Sequence, residues 1–213
     1  QYKGQCDGLY TETLSPTPDK ITRAGMARTF QNIRLWKTQT VFDNVLIAKH
    51  CRSTSSVFSA AFRLNRKEEA AQRAQVEELL EIVGLADVKN ELATSLPYGK
   101  QRRLEIARAL AAEPKLLLLD EHTAALDPAT AEKVMAITND IVRERNLTTL
   151  MITHNMQSAL DLGNRILMMD SGDIVLDIKE EEKKGLTVEG LLDKFKVGAG
   201  KKLDNDRILL SNE

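Results

Sequence analysis

Four consecutive leucines, Leu116 to Leu119, run directly into two carboxylates, Asp120 and Glu121. An apolar run this short, stopped by polar residues, predicts a strand over 115–120 buried on both faces of a parallel sheet. Helical spacing instead marks TVFDNVLIAKH and RKEEAAQRAQVEELLEIVGL, with Gly84 placed to cap the second. Residues 38–112 are therefore read as mostly helical. A helix from about Pro128 to Arg145 follows, then a β-rich LTTLMITH and a short helix from Asn155. Strand, helix, strand is the βαβ logic of a parallel sheet. RILMMDSGDIVLD predicts a hairpin turning at Ser171-Gly172-Asp173, and the charged tail from Glu180 carries one amphipathic helix near 187–196. At the other end, QYKGQCDGLYTETLS has turn signals at Gly4 and Asp7-Gly8 and no sustained periodicity. A short helix opens at Ser15, runs through Ile21 and ends near Gly25, and MARTFQ follows as a strand.

Bulk properties narrow this picture mainly by exclusion. With 213 residues the chain can bury a full core, as one domain or a domain with a subdomain. Lysine and arginine total 30 against 31 acidic residues, for a net charge of -1, which leaves no overall basic footprint for nucleic acid. No apolar stretch is long enough to cross a bilayer, and no signal peptide is visible. Cys6 and Cys51 are too isolated for a disulfide framework or a metal cluster, which fits a reducing cytoplasm.

Chemistry is expected where the apolar strand stops, because ligands of open α/β sheets bind beyond the carboxyl ends of the strands. Successive strand residues face opposite ways, so Asp120 and Glu121 are expected to do different jobs. Read singly, the other polar positions are ordinary. His154 closes an apolar β run as a core histidine would, Gln31 reads as a solvated amide, and Asp127 before Pro128 suits a helix N-cap.

Five segments in a fixed order change that reading: RTFQNIRLW, LPYGKQRRLEIARAL, LLLLDE, HTAALDP and MITHNM. Together they resemble the glutamine loop, signature, Walker B strand, D-loop and switch histidine of the nucleotide-binding domain of ABC transporters. ARTFQNIRL and YGKQRRLEIARAL are similar to ATPases of branched-chain amino acid importers. DEHTAALDP, TTLMITHNM and the carboxyl tail look more like an importer branch assigned to aromatic amino acids. The resemblance implies an α/β, P-loop NTPase-like (RecA-like) fold with a mainly parallel sheet and an inserted α-helical subdomain.

It also implies roles. Asp120 would hold Mg²⁺ beside the phosphates of ATP, usually through water. Glu121 would polarise the attacking water, and His154 would hydrogen-bond the γ-phosphate. Gln31 would touch Mg²⁺ and that water, its loop following the permease. The signature is altered to Leu96, Pro97, Tyr98, Gly99 and Lys100, without the usual serine hydroxyl. It would still offer a helix amino terminus to ATP held by a second subunit, in a head-to-tail dimer. Asp127 would lie at that seam or simply cap its helix. His122 stands where most relatives have proline and receives no role, nor does His50.

No G-x-x-x-x-G-K-[ST] phosphate loop occurs. GAGKK at Gly198 to Lys202 fails as an imitation, since Phe195 and Lys202 occupy the positions of the first glycine and the Ser or Thr. The expectation is an amino-terminally truncated ATPase, inactive alone. In that reading residues 1–31 are a remnant of the ATP-binding core, 32–112 the helical subdomain, 113–179 the catalytic core and 180–213 a charged tail. The strand feeding the family's phosphate loop would lie between the one ending at His154 and the one near Arg165 to Met169. A gap, a collapsed sheet or a substitute segment is expected there, with Asp120, Glu121 and His154 around one phosphate position. Expected partners are a second ATP-binding subunit, membrane permease subunits and, indirectly, a substrate-binding protein outside the membrane. The chain would then sit on the cytoplasmic face of the membrane. Two rivals remain: a soluble ABC-type ATPase of repair or translation, and a non-hydrolysing regulatory fragment.

Overall fold

A computed structural model describes residues 17–52, 66–121, 123, 126–170 and 172–199. The opening residues through Pro16, His122, Ser171 of the expected turn, and Gly200 to Lys202 of GAGKK lie outside the described residues. The chain divides into two compact units, 1–150 and 151–213.

In the first unit, helix α1 (Pro18–Ala24) opens with proline at its first position, where its missing N–H is no loss. It closes at Gly25, whose φ of 104° is left-handed backbone that glycine adopts without strain. Strand β1 (Met26–Arg28) follows and pairs in parallel with β2 (Leu116–Asp120), Met26 opposite Leu116 and Arg28 opposite Leu118. With β3 (Thr148–Ile152) they form a sheet in the order β1-β2-β3.

The intervening residues are helical, as the spacing predicts. Helix α2 (Val41–Lys49) is capped by Thr40, whose hydroxyl accepts from Asp43 N–H at 3.1 Å. Helix α3 (Arg66–Ile82) buries Gln72, Val76, Leu79 and Leu80, a stripe at helical spacing. Helix α4 (Tyr98–Ala111) buries Arg102, Leu104, Glu105, Ile106 and Ala107 among others, and α2 packs against both α3 and α4. Asn44, fully buried, ties the preceding loop to α2: its amide donates to Trp36 and Thr40 carbonyls at 3.1 and 2.9 Å and accepts from Trp36 N–H at 2.9 Å. Helix α5 (Pro128–Glu144) leads from the end of β2 towards β3.

The expected burial of β2 on both faces needs correction. Leu117 and Leu119 are fully buried, each worth about 1.5–3 kcal/mol, but Leu116 and Leu118 are only half-buried. Alternation sends successive side chains to opposite faces, and among the described residues only the face of Leu117 and Leu119 is fully covered.

In the second unit, Asn155 caps α6 (Met156–Leu162), its side chain accepting from Ser158 N–H at 2.9 Å. Strands β4 (Arg165–Asp170) and β5 (Asp173–Lys179) pair antiparallel around Gly172, with a register shift at Met168/Met169. A single turn, α7 (Glu180–Lys183), precedes α8 (Val188–Ala199). Leu160, Ile166, Ile178 and Leu191 form the core of this unit, so the carboxyl-terminal helix is part of the fold. β3 and β4 belong to different sheets.

Candidate functional site

The carboxyl end of β2 brings together three residues that the sequence singles out, Gln31, Asp120 and Glu121. Gln31 Nε2 donates to Glu121 Oε2 at 2.8 Å, joining two residues 90 positions apart. Glu121 sits at φ 44°, a left-handed conformation that costs a residue with a side chain about 1 kcal/mol or more. Such strain persists only where its surroundings impose it, and here the chain turns sharply out of the strand. Asp120, still in the strand, turns away and is held by Arg28, whose Nη2 lies 2.6 Å from Oδ2. Its backbone N–H donates to Thr29 Oγ1 at 3.3 Å. Asp120 is thus paired with Arg28, and Glu121 with Gln31.

Residues after β1 have no ladder of their own beyond Thr29, whose N–H reaches Leu118 O at 2.9 Å. Helix α4 supplies what holds them. Glu105 Oε1 accepts from Phe30 N–H at 3.2 Å, and Arg102 Nη1 donates to Phe30 O at 2.6 Å and to Glu105 Oε2 at 2.8 Å. Arg102 Nη2 donates to Gln31 O and, at 3.1 Å, to the Tyr98 hydroxyl. Further along the helix, Arg108 donates to Arg34 O. The side chains of Arg102 and Glu105 are 1% and 5% exposed, so this is a buried ion pair inside a hydrogen-bonded network. Burial raises the Glu105 carboxyl above its usual range, against the opposing pull of Phe30 N–H and of Arg102. Sequence reasoning assigned nothing to Arg28, Arg102 or Glu105. The available signal was the apolar periodicity of LPYGKQRRLEIARAL, which places 102 and 105 on the inward side of the helix together with Ile106 and Ala109.

Of the signature residues, Leu96 is buried, and Pro97 precedes α4 without a side-chain cap, leaving its first-turn N–H groups uncapped by side chains. The close approach at Gly99 is made to Thr130 in the first turn of α5: a Cβ there would stand 2.3 Å from Thr130 Cγ2. Lys100 reaches Asp87 at 3.2 Å and holds that carboxyl below its usual range. Asp127 is the N-cap of α5, accepting from Thr130 N–H at 3.0 Å. His154 is exposed between β3 and Asn155 and belongs to the second unit.

Magnesium-type cations take one or two carboxylates and complete their shell with phosphate oxygens and water. Asp120 and the Gln31 amide at a strand end fit such a sparse donor set. Among the described residues no group of three or more His, Cys, Asp and Glu side chains forms a metal cage. Also among them, no helix is long and apolar enough to cross a membrane.

Residues 3–124 match the family model described as ABC transporter. The chain is 49% identical over 123 residues to the tyrosine transport ATP-binding protein of Clostridioides difficile, covering 56% of this chain and 49% of the relative. It is 34% identical over 165 residues to the high-affinity branched-chain amino acid transport ATP-binding protein BraF of Pseudomonas aeruginosa, covering 76% and 65%. The chain therefore spans about half the length of the first relative and just under two thirds of the second. Among solved structures it is similar to an ATP-binding cassette of an ABC transporter in its ADP conformation, with a TM-score of 0.66 and 26% identity, covering 85% of this chain and 71% of that one. The family match, the shared α/β fold and a Gln31–Glu121 contact at the end of the leucine strand agree: the chain belongs to the ABC transporter family.

Proposed function

We propose that this chain is part of the ATP-hydrolysing subunit of an ABC importer for amino acids. The observation that carries the reading is the Gln31–Glu121 hydrogen bond at 2.8 Å, beside Asp120 at the end of β2. The relatives named for tyrosine and branched-chain amino acid transport support the substrate class.

In this reading Glu121 is the general base. Its carboxylate takes the proton of the attacking water, and Gln31, bonded to it, fixes its orientation. Asp120 and Gln31 would hold Mg²⁺, which when bound neutralises phosphate charge. His154 donates to the γ-phosphate oxygen. Leu96, Pro97, Tyr98, Gly99 and Lys100 present the amino terminus of α4 to ATP carried by a second subunit, head to tail, with Asp127 near the seam. The loop after Gln31 meets the permease, a substrate-binding protein joins outside the membrane, and the subunit works peripherally on the cytoplasmic face.

The test is Glu121→Gln in the full-length subunit. The variant retains ATP binding while turnover falls by about 10²- to 10⁴-fold, the range for loss of a general base. Hydrolysis at the parent rate would overturn the assignment. Hydrolysis that no permease stimulates would favour an ATPase without a membrane partner.

A further inference from the structure

Arg102 is more constrained than a structural ion pair requires. All four of its Nη hydrogens are spoken for: Nη1 serves Phe30 O and Glu105 Oε2, and Nη2 serves Gln31 O and the Tyr98 hydroxyl. A guanidinium is planar and rigid, so the two Nη2 bonds cannot be adjusted independently. Its burial removes water as a substitute partner. At one end of this array Gln31 continues to Glu121 through its own amide at 2.8 Å. At the other, Tyr98 is 40% exposed at the amino terminus of α4. Hydrogen bonds joined through the side chain of Gln31 therefore connect a surface residue of the signature segment to the Glu121 carboxylate just past β2.

We propose that Tyr98, Arg102 and Gln31 form a relay through which contact at the signature segment sets the position of Glu121 within the same subunit. The proposal rests on the hydrolytic reading above. It assigns Tyr98 and Arg102 as positioning residues. When Tyr98 is engaged, its hydroxyl holds Arg102 against Gln31 O, and the Gln31 amide holds Glu121. When the hydroxyl is displaced, Nη2 loses one of its two acceptors, and the loop carrying Gln31 loses a fixed anchor.

Tyr98→Phe is the decisive variant, because it keeps the ring and its stacking over the Arg102 guanidinium, 5.5 Å from the ring centroid, and removes only the hydroxyl. In the full-length subunit we expect kcat for ATP to fall by about 3- to 10-fold, the effect of one hydrogen bond, with KM unchanged. In an Arg102→Lys background the same change produces no further loss. An unchanged kcat, or losses that multiply in the double variant, would overturn the relay. A raised KM that persists in the Arg102→Lys background would instead mean that Tyr98 touches nucleotide directly, which also overturns it. A second readout needs no turnover: hydrogen exchange of the Gln31 side-chain amide, followed by NMR, is slowed in the parent and speeds up several-fold in Tyr98→Phe. Identical exchange in both would reject the relay even if the protein hydrolyses ATP. A subunit that hydrolyses nothing, yet shows the exchange difference, would reject the hydrolytic reading and keep the relay.

Discussion

Arg28 stands opposite Leu118 in the parallel register of β1 and β2, and its guanidinium reaches two residues further to Asp120, at 2.6 Å. Leu118 and Asp120 share a face of β2, so the ion pair closes the half-covered side of that strand at its carboxyl end. A cation that takes Asp120 must compete with this guanidinium.

Replacing Arg28 by Gln therefore lowers the Mg²⁺ concentration that half-saturates hydrolysis. With Arg28 49% exposed, stability shifts by no more than about 1 kcal/mol. A magnesium titration of turnover and a thermal melt check the two halves. An increased magnesium requirement would show that Arg28 assists the cation.

The buried pair of Arg102 and Glu105 behaves differently. Removing one partner strands a buried charge, so Glu105→Ala costs about 3–5 kcal/mol, whereas Arg102→Leu with Glu105→Leu costs less than the single change. Urea denaturation of the three proteins measures this. A double variant less stable than Glu105→Ala would contradict the argument.

The same carboxyl gives a pH dependence. Burial raises Glu105 above its usual value of 4.5, so the folded protein binds the proton more tightly than the unfolded chain. Its contribution to stability is full below the unfolded pKa and is lost as pH rises through the folded one. Comparing Glu105→Gln with the parent from acid to neutral pH should show the parent losing stability relative to the variant over that interval. A parallel pair of curves would remove Glu105 as the cause.

Gly99 has no room for a methyl. In Gly99→Ala the new Cβ meets Thr130 Cγ2, and the overpacking costs about 1–3 kcal/mol. Adding Thr130→Ser removes the offending methyl and restores most of the loss, which a melting curve of the double variant would reveal.

Asp127 titrates in the opposite sense. The hydrogen bond from Thr130 holds its carboxyl below the usual 3.8, so its capping contribution is present above the unfolded pKa and disappears as pH falls through the folded one. Asp127→Ala lowers the melting temperature at neutral pH. Asp127→Asn, which keeps an acceptor, lowers it less, and the gap between Asp and Asn closes in acid.

Much of this architecture was legible in the chain because it is determined over short distances. Leucines at 116–119 specify a strand, Gly25 and Gly84 end helices, and Thr40, Asp127 and Asn155 accept from backbone N–H groups three residues on. Each is a local matter of period or capping, written in a few adjacent residues. The order of five short segments likewise marks Gln31, Asp120 and Glu121. Only the folded chain decided that Gln31 would be held by Arg102, 71 positions away, that Gly99 would face Thr130, and that one side of β2 would stay half-covered. Those outcomes depend on which surfaces meet once α4 packs beside α2 and reaches the loop after β1. A buried arginine in LPYGKQRRLEIARAL looks like any surface arginine until its partners arrive. Its long-range partners are the backbone carbonyls of Phe30 and Gln31, groups that every residue carries and no sequence distinguishes.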